Sequence, residues 1–375
     1  MIRSLLRART MKRRLLARVT GLALLAPLAW TANAADPSVD VYAVLHLSLD
    51  HLDNRESDSQ FLSTNQSRLG IRGSTALSAD TRALFQYETE VNATEGGSGL
   101  FRRSRHSFLG LSGPYGTVRG GNLDGPLKAL TDRTQFFTAR LGDPGNLIAG
   151  AGVTWEDTIG AADAPGHLRR HSNAIDYTTP EWQGLSATLM GTPAQGESSA
   201  QTGSWMVRWQ QPAFQLAAGC VHSRSGNFAN GDRSQTTRQL LAQYREGAIN
   251  LVAIVQDHQH ISGRGDRDAR AGLLGLGYRV APGLELQGQV AHFDDDRGSD
   301  HDSTLYTVGV EHAMNPRARV YLNYAQVRNG DLAGRSVAGQ SHAPPPGPDS
   351  SRSRMLEVAD GNNQWGVSAG MLYVF

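Results

Sequence analysis

From Ala35 to the C-terminus, apolar and polar residues alternate with a period of two. In the first segment Val39, Val41, Ala43, Leu45, Leu47 and Leu49 share one phase, and Asp40, His46, Ser48 and Asp50 share the other. Successive side chains of a strand point to opposite faces, so one face is apolar and the other mostly wet. Ser67–Gly73 sets Leu69 and Ile71 against Arg68 and Arg72. Thr81–Val91 sets Ala83, Phe85, Tyr87 and Val91 against Arg82, Gln86, Glu88 and Glu90. Arg105–Leu111 and Thr117–Gly121 follow, and eleven more segments lie between His171 and Phe375, which makes sixteen.

The connections alternate too. One set is short and built of turn-forming residues, such as Ala76–Asp80, Ser112–Gly116, Pro180–Glu181 and Ala281–Gly283. The other is long and polar: Asp50–Gln66, Asn92–Arg103, Asn122–Leu168, Gly191–Gly203, Ser223–Gln235, Asp257–Arg270, Asp294–Ser303 and Asn329–Asn363. Short turns at one end and long loops at the other are the pattern of outer-membrane barrels. About ten residues per strand, rising ~3.3 Å each at a tilt of about 45°, span roughly 23 Å, close to the apolar band of such barrels. Lipid offers no hydrogen-bond partner, so the sheet must close. Sixteen strands leave an aqueous lumen, where eight would be filled by side chains. The pattern therefore predicts an all-β fold, a 16-stranded antiparallel transmembrane β-barrel with long outer loops.

Asn122–Leu168 is the longest interior stretch without a predicted strand or helix. Loops of that length in a compact domain usually have a function. The reading is that it folds into the barrel and narrows the channel. It carries Asp124, Asp132, Asp143, Glu156, Asp157 and Asp163. Arg68, Arg72, Arg82 and Arg105 fall in the non-lipid phase, where a guanidinium avoids a cost of about 2–4 kcal/mol at the lipid midplane. A basic wall facing these loop acids would set up a transverse field and select by ion sign. Two plainer readings stand beside it: arginines solvated or paired with Glu88 or Glu90, and loop carboxylates that are only solvated. The arginine-rich stretches lean the expectation weakly towards anions.

The first 34 residues read as a cleaved secretory signal: a basic region from Arg3 to Arg18, the apolar run Val19–Trp30, and Ala32-Asn33-Ala34 before a mature start at Ala35. They hold seven of the 36 basic residues and no acid, so the remainder has 29 bases against 35 acids, a net −6. That balance argues against a nucleic-acid partner. Cys220 reads as a small apolar strand residue and His258-Gln259-His260 as a solvated loop, so no metal or cofactor is expected. No nucleophile motif or phosphate loop is present, and passive diffusion needs none. Trp205, Trp209, Trp365, Tyr373 and Phe375 are candidates for the interfacial girdle.

Several stretches resemble the general, non-specific Gram-negative porins of β- and γ-proteobacteria. These are SVDVYAVLHLSLDHLDN at the start, SRLGIRGSTALSADTRALFQYETEVN, LFRRSRHSFLGLSGPYGTVRGGNLDGPL leading into the third loop, SNAIDYTTPEWQGL, and QWGVSAGMLYVF at the end. The resemblance implies an outer-membrane homotrimer among membrane lipids and lipopolysaccharide, passing small hydrophilic solutes and ions. It also implies that 122–168 is the constriction loop and that terminal Phe375 is read by the barrel-assembly machinery. The family often has an arginine where this chain has Asn122. The alternatives are a channel selective for sugar or phosphate and, further off, a barrel-based enzyme or adhesin.

Overall fold

The computed structural model describes residues 37–91, 93–94, 104–149, 168–193, 201–225, 232–339 and 358–375. The predicted signal, Glu156, Asp157 and Asp163 lie outside the described residues. Seventeen strand segments form one antiparallel sheet. They are β1 (Ser38–Asp53), β2 (Asp58–Thr64), β3 (Arg68–Ala76), β4 (Arg82–Glu90), β5 (Ser107–Gly113), β6 (Gly116–Asp124), β7 (Arg170–Thr178), β8 (Leu185–Gly191) and β9 (Thr202–Gln210). Then come β10 (Phe214–Ser223), β11 (Gln235–Glu246), β12 (Ile249–Gln259), β13 (Ala269–Ala281), β14 (Leu284–Asp295), β15 (Ser303–Asn315), β16 (Ala318–Asn329) and β17 (Gln364–Val374). Each pairs with the next in the chain except β2 and β3, which both pair with β1, and β17 returns to β1 from Val44↔Val374 to Asp53↔Trp365, which closes the barrel.

Seventeen segments make sixteen staves because the second stave is broken. β2 pairs with the outer half of β1, from Leu47↔Thr64 to Asp53↔Asp58, and β3 with the inner half, from Ser38↔Ser74 to Val44↔Arg68. Between them Gln66 adopts φ 53°. This corrects the first predicted outer loop. Most of Asp50–Gln66 is strand, and only Asn54–Ser57 turns, with the Asn54 side-chain oxygen accepting from the amides of Glu56 (3.2 Å) and Ser57 (2.9 Å). Both faces of the hairpin are largely polar here, so the alternation that marks strands elsewhere is lost.

The apolar phase faces outwards: Val41, Leu49, Leu109 and Leu274 are all exposed. No helix among the described residues is long and apolar enough to cross a membrane. The strands do the crossing.

The third loop is more ordered than its sequence suggests, which corrects a second expectation. β6 continues through Asp124, and α1 (Pro126–Thr134) follows at once. Proline fits the first helical position because its missing N–H is not needed there. Leu127, Leu130, Thr131 and Thr134 share one buried face at i, i+3, i+4, i+7 spacing. That face lies on the inner wall over β8–β10. A second short helix, α2 (Gly145–Ile148), lies against β13–β15. Between them the Phe137 ring packs where a side chain at Gly309 would stand, 3.0 Å from that position. Asn323 donates to the Leu141 carbonyl (2.7 Å), and Gln289 (3.1 Å) and Thr307 (2.9 Å) donate to that of Gly142. The described part of the loop, up to Ala149, therefore lies inside the barrel, against β8–β10 and β13–β17.

The last outer loop reaches in and holds this arrangement. The Val337 carbonyl accepts from the Gly142 amide and the Asn146 side chain, both at 2.9 Å. Leu141, Leu147, Ile148, Phe293, Leu305, Val327 and Val337 form one buried apolar cluster. Arg335 lies over the Phe293 ring at 4.0 Å and donates to the His301 carbonyl and Ser303 hydroxyl, both at 3.0 Å. Burial lowers its pKa to about 10, while Asp295 opposes the shift, so it stays charged at neutral pH.

Candidate functional site: the channel wall and loop 3

The part of the inner wall that the described residues of the loop leave open is organised by Glu88. Its carboxylate takes Arg105 Nε at 2.7 Å, Arg68 Nε at 3.3 Å and the Tyr42 hydroxyl at 2.8 Å. Gln86 donates in turn to the Tyr42 oxygen at 2.8 Å. The strand break now acquires a role. It places Gln66 so that its side-chain oxygen accepts from Arg105 (3.1 Å) and its backbone carbonyl from Arg68 (3.2 Å). Asn122 fixes the same corner, donating to the Arg105 carbonyl at 2.7 Å.

Arg68 and Arg105 are thus brought together, and they are paired with Glu88 as one of the plainer readings had it. Arg72 stands further down the wall, with its side chain 58% exposed, 3.6 Å from Asp40 and 5.2 Å over the Tyr42 ring. Arg82 is remote. It is exposed beside the short turn and donates to Ser74 at 2.5 Å, six residues or about 20 Å along β4 from Glu88.

The acids of the loop divide differently from the basic-wall arrangement expected. Asp124 lies at the root of the loop, 2.9 Å from Arg170 and 3.8 Å from Lys128. Asp132 pairs with Lys128 on the helix. Asp143 is buried and accepts from the Ala139 and Gly145 amides (both 2.8 Å) and the Gln135 side chain (3.1 Å), so its carboxylate shapes the turn. The face that α1 turns to the lumen carries Lys128, Asp132 and Arg133. Arg133 is exposed and has no ion pair among the described residues. Further round, Arg119 and Asp176 pair through two contacts (3.0 and 2.5 Å), and Arg140 ties the loop to Glu311 and lies 4.1 Å over Tyr321.

Tyr42, Gln66, Lys128 and Arg133 were missed by sequence reasoning. The two helix cations had a legible signal, Pro126 followed by apolar residues at helical spacing. Gln66 had none, because only tertiary pairing reveals the strand break.

A family model for Gram-negative porins matches residues 21–332. This chain belongs to the Gram-negative porin family. Outer membrane porin protein 32 of Delftia acidovorans is 27% identical over 323 residues, covering 80% of this chain and 87% of that protein. A chitoporin of Vibrio furnissii is 31% identical over 160 residues, 40% of each chain. An anion-selective porin from Comamonas acidovorans shares the fold with a TM-score of 0.75 at 22% identity, over 91% of this chain and all of that one. The porin described here is a Gram-negative outer-membrane β-barrel, with a channel through its centre. Phe375 ends its last stave, donating its amide to the Ala43 carbonyl at 2.9 Å and packing edge-on to Tyr373 at 4.6 Å between ring centroids. Its ring is exposed.

Proposed function

We propose that this porin passes small hydrophilic solutes passively and prefers anions, with 122–168 as the constriction loop. The observation that carries the preference is the presence of cations on both sides of the passage. Arg68, Arg72 and Arg105 stand on the wall, and Lys128 and Arg133 on the lumen face of α1. Local fixed charges, rather than the net charge of the chain, decide which ion enters. The relative described as anion-selective agrees with this reading. Transport of this kind needs no catalytic group, so no enzymatic activity is assigned.

The same reading includes cleavage of residues 1–34, recognition of Phe375 during assembly, and a homotrimer embedded among outer-membrane lipids and lipopolysaccharide. One related structure, OmpT of Vibrio cholerae, is described as a trimer form. In planar bilayers under a salt gradient, the reversal potential is expected to have the sign of anion preference, with conductance steps in threes. Arg133→Gln should lower the anion-to-cation permeability ratio about threefold, a modest change because an exposed guanidinium is screened. Clear cation preference in the unmodified protein would refute the assignment.

A further inference from the structure

Three strands carry the same pair of neighbours close to the short turns, an outward aromatic and an inward arginine. They are Trp209 and Arg208 on β9, Tyr244 and Arg245 on β11, and Tyr278 and Arg279 on β13. The three rings are exposed on the lipid face. Outward aromatics near a strand end mark the membrane–water interface, so each neighbouring arginine stands at that depth, in the mouth of the channel. The short turns lie on the periplasmic side. Alternate strands are about 10 Å apart, so the three guanidiniums form an arc of roughly that spacing.

The strands between them contribute neutral groups, Gln215 on β10 and Asn250 on β12, which accepts from Gln243 at 3.0 Å. Arg245 and Arg279 are exposed and have no ion pair among the described residues. Arg208 reaches only the exposed Glu181, at 3.6 Å, and its buried Nε has no hydrogen-bond partner among the described residues. Nearby acids are largely matched: Glu311 by Arg140 and Arg319, and Asp40 by Arg72. Half-buried Glu285, opposite Arg279 in the ladder, is the acid set against the arc. The arc is also distinct from the constriction cluster. On β11 Gln239 donates to Thr131 of α1, and Arg245 lies six residues further on. That is about 20 Å along the strand, or ~14 Å along the pore at a tilt of about 45°. The screening length in physiological salt is about 8 Å, so an ion meets the two groups of charge one after the other.

We propose that Arg208, Arg245 and Arg279 form a second charge filter, which recruits anions at the periplasmic mouth and makes the channel rectify. This rests on the anion-preferring channel proposed above. A positive charge at about 10 Å in water enriches a monovalent anion roughly twofold. Anions driven in from this mouth start from the enriched layer, while cations coming the other way are held back by the same charges. With the polarity reversed, anions start at the outer mouth from the bulk concentration. The current is therefore larger when anions flow from the periplasmic side outwards.

The test is the current–voltage curve of single channels of the full protein, with an epitope inserted at Gly265 in an outer loop to report orientation. In symmetric potassium chloride at ~0.1 M, where the screening length is about 10 Å, the current should be about twofold larger at the polarity that drives chloride in from the periplasmic side. At ~1 M, where that length is about 3 Å, the two polarities should agree. The triple variant Arg208→Gln/Arg245→Gln/Arg279→Gln should abolish the asymmetry, and Glu285→Gln should increase it. The reversal potential in a salt gradient should keep its anion sign in both variants, because the constriction cluster is untouched. Cation preference in the unmodified protein would sink the reading beneath this proposal and the proposal with it. An anion-preferring channel with equal current at both polarities overturns the second filter alone. So does asymmetry retained by the triple variant, or a Glu285→Gln channel no different from the unmodified one.

Discussion

Glu88→Gln is expected to raise the anion-to-cation permeability ratio about tenfold. The carboxylate is 8% exposed and holds Arg105 at 2.7 Å and Arg68 at 3.3 Å, so it cancels part of the positive charge beside the passage. Removing one unit of negative charge leaves both guanidiniums in place, because Gln66 still accepts from each. An ion passing at about 6 Å in water-like dielectric feels roughly 0.7 kcal/mol from one unit charge. That is about threefold in favour of an anion and threefold against a cation, roughly tenfold in the ratio. The barrel should still assemble, since none of the strand ladders depends on this side chain and both arginines border lumen water. A shift in reversal potential under a salt gradient reads the effect directly. Glu246→Gln, at an exposed position before a short turn, is the control and should leave the potential where it was. If Glu88→Gln behaves like that control, the Arg68–Arg105 cluster does not face the permeating ion.

The charge arrangement illustrates what alternation can and cannot reveal. Strand phase fixes the face on which Arg68, Arg72 and Arg82 lie, because the period of a strand is two whatever the partner. It places Arg68, Arg72 and Arg82 on the inner side, whereas Arg105 shares the phase of the exposed Leu109 and Leu111 and turns inward only because the register shifts by one residue before β5, from Gln86↔Phe108 to Thr89↔Ser104. It says nothing of depth, and depth separates Arg82, beside a short turn, from the pair at Glu88. The staves themselves were legible because lipid demands an uninterrupted apolar phase. The first outer hairpin was not, because Asp53 and Asp58 stand beyond that demand and either face is free to be polar.

The third loop failed for a different reason. Its helix packs against an inner wall of mixed character, with Gly219 at Leu127 and Gln239 bonded to Thr131, so its buried face is narrow and mixes leucine with threonine. A pattern of that strength is easily passed over beside the run of acids. Those acids drew attention to charge, yet Asp143 is held by backbone amides and Asp132 is paired with Lys128 on the helix, which leaves Arg133 as the cation of α1 without an ion pair among the described residues.

Phe137→Ala is expected to release the loop from the wall and widen the channel. The ring is 0% exposed and packs at Gly309, a site that holds it because a side chain there would stand 3.0 Å away. Truncating a buried phenylalanine typically costs about 3–5 kcal/mol. Here the cost falls on docking of the loop, since Phe137 contributes nothing to the strand ladders that close the barrel. Beyond α1, what remains to hold the loop is the Arg140–Glu311 pair, the Asn323 bond to the Leu141 carbonyl, the Gln289 and Thr307 bonds to the Gly142 carbonyl, the packing of Leu141, Leu147 and Ile148, and the Val337 clamp on Gly142 and Asn146. These contacts lie to the C-terminal side of Phe137, so the segment between α1 and Arg140 should move first. Single-channel records should change from one steady level to fluctuation among several. In liposome swelling, entry of the larger members of a sugar series should accelerate severalfold while the smallest change little, because only molecules near the limiting size sense the narrowest point. An unchanged size cut-off, with heat stability lowered, would mean that Phe137 anchors a loop that does not set the constriction.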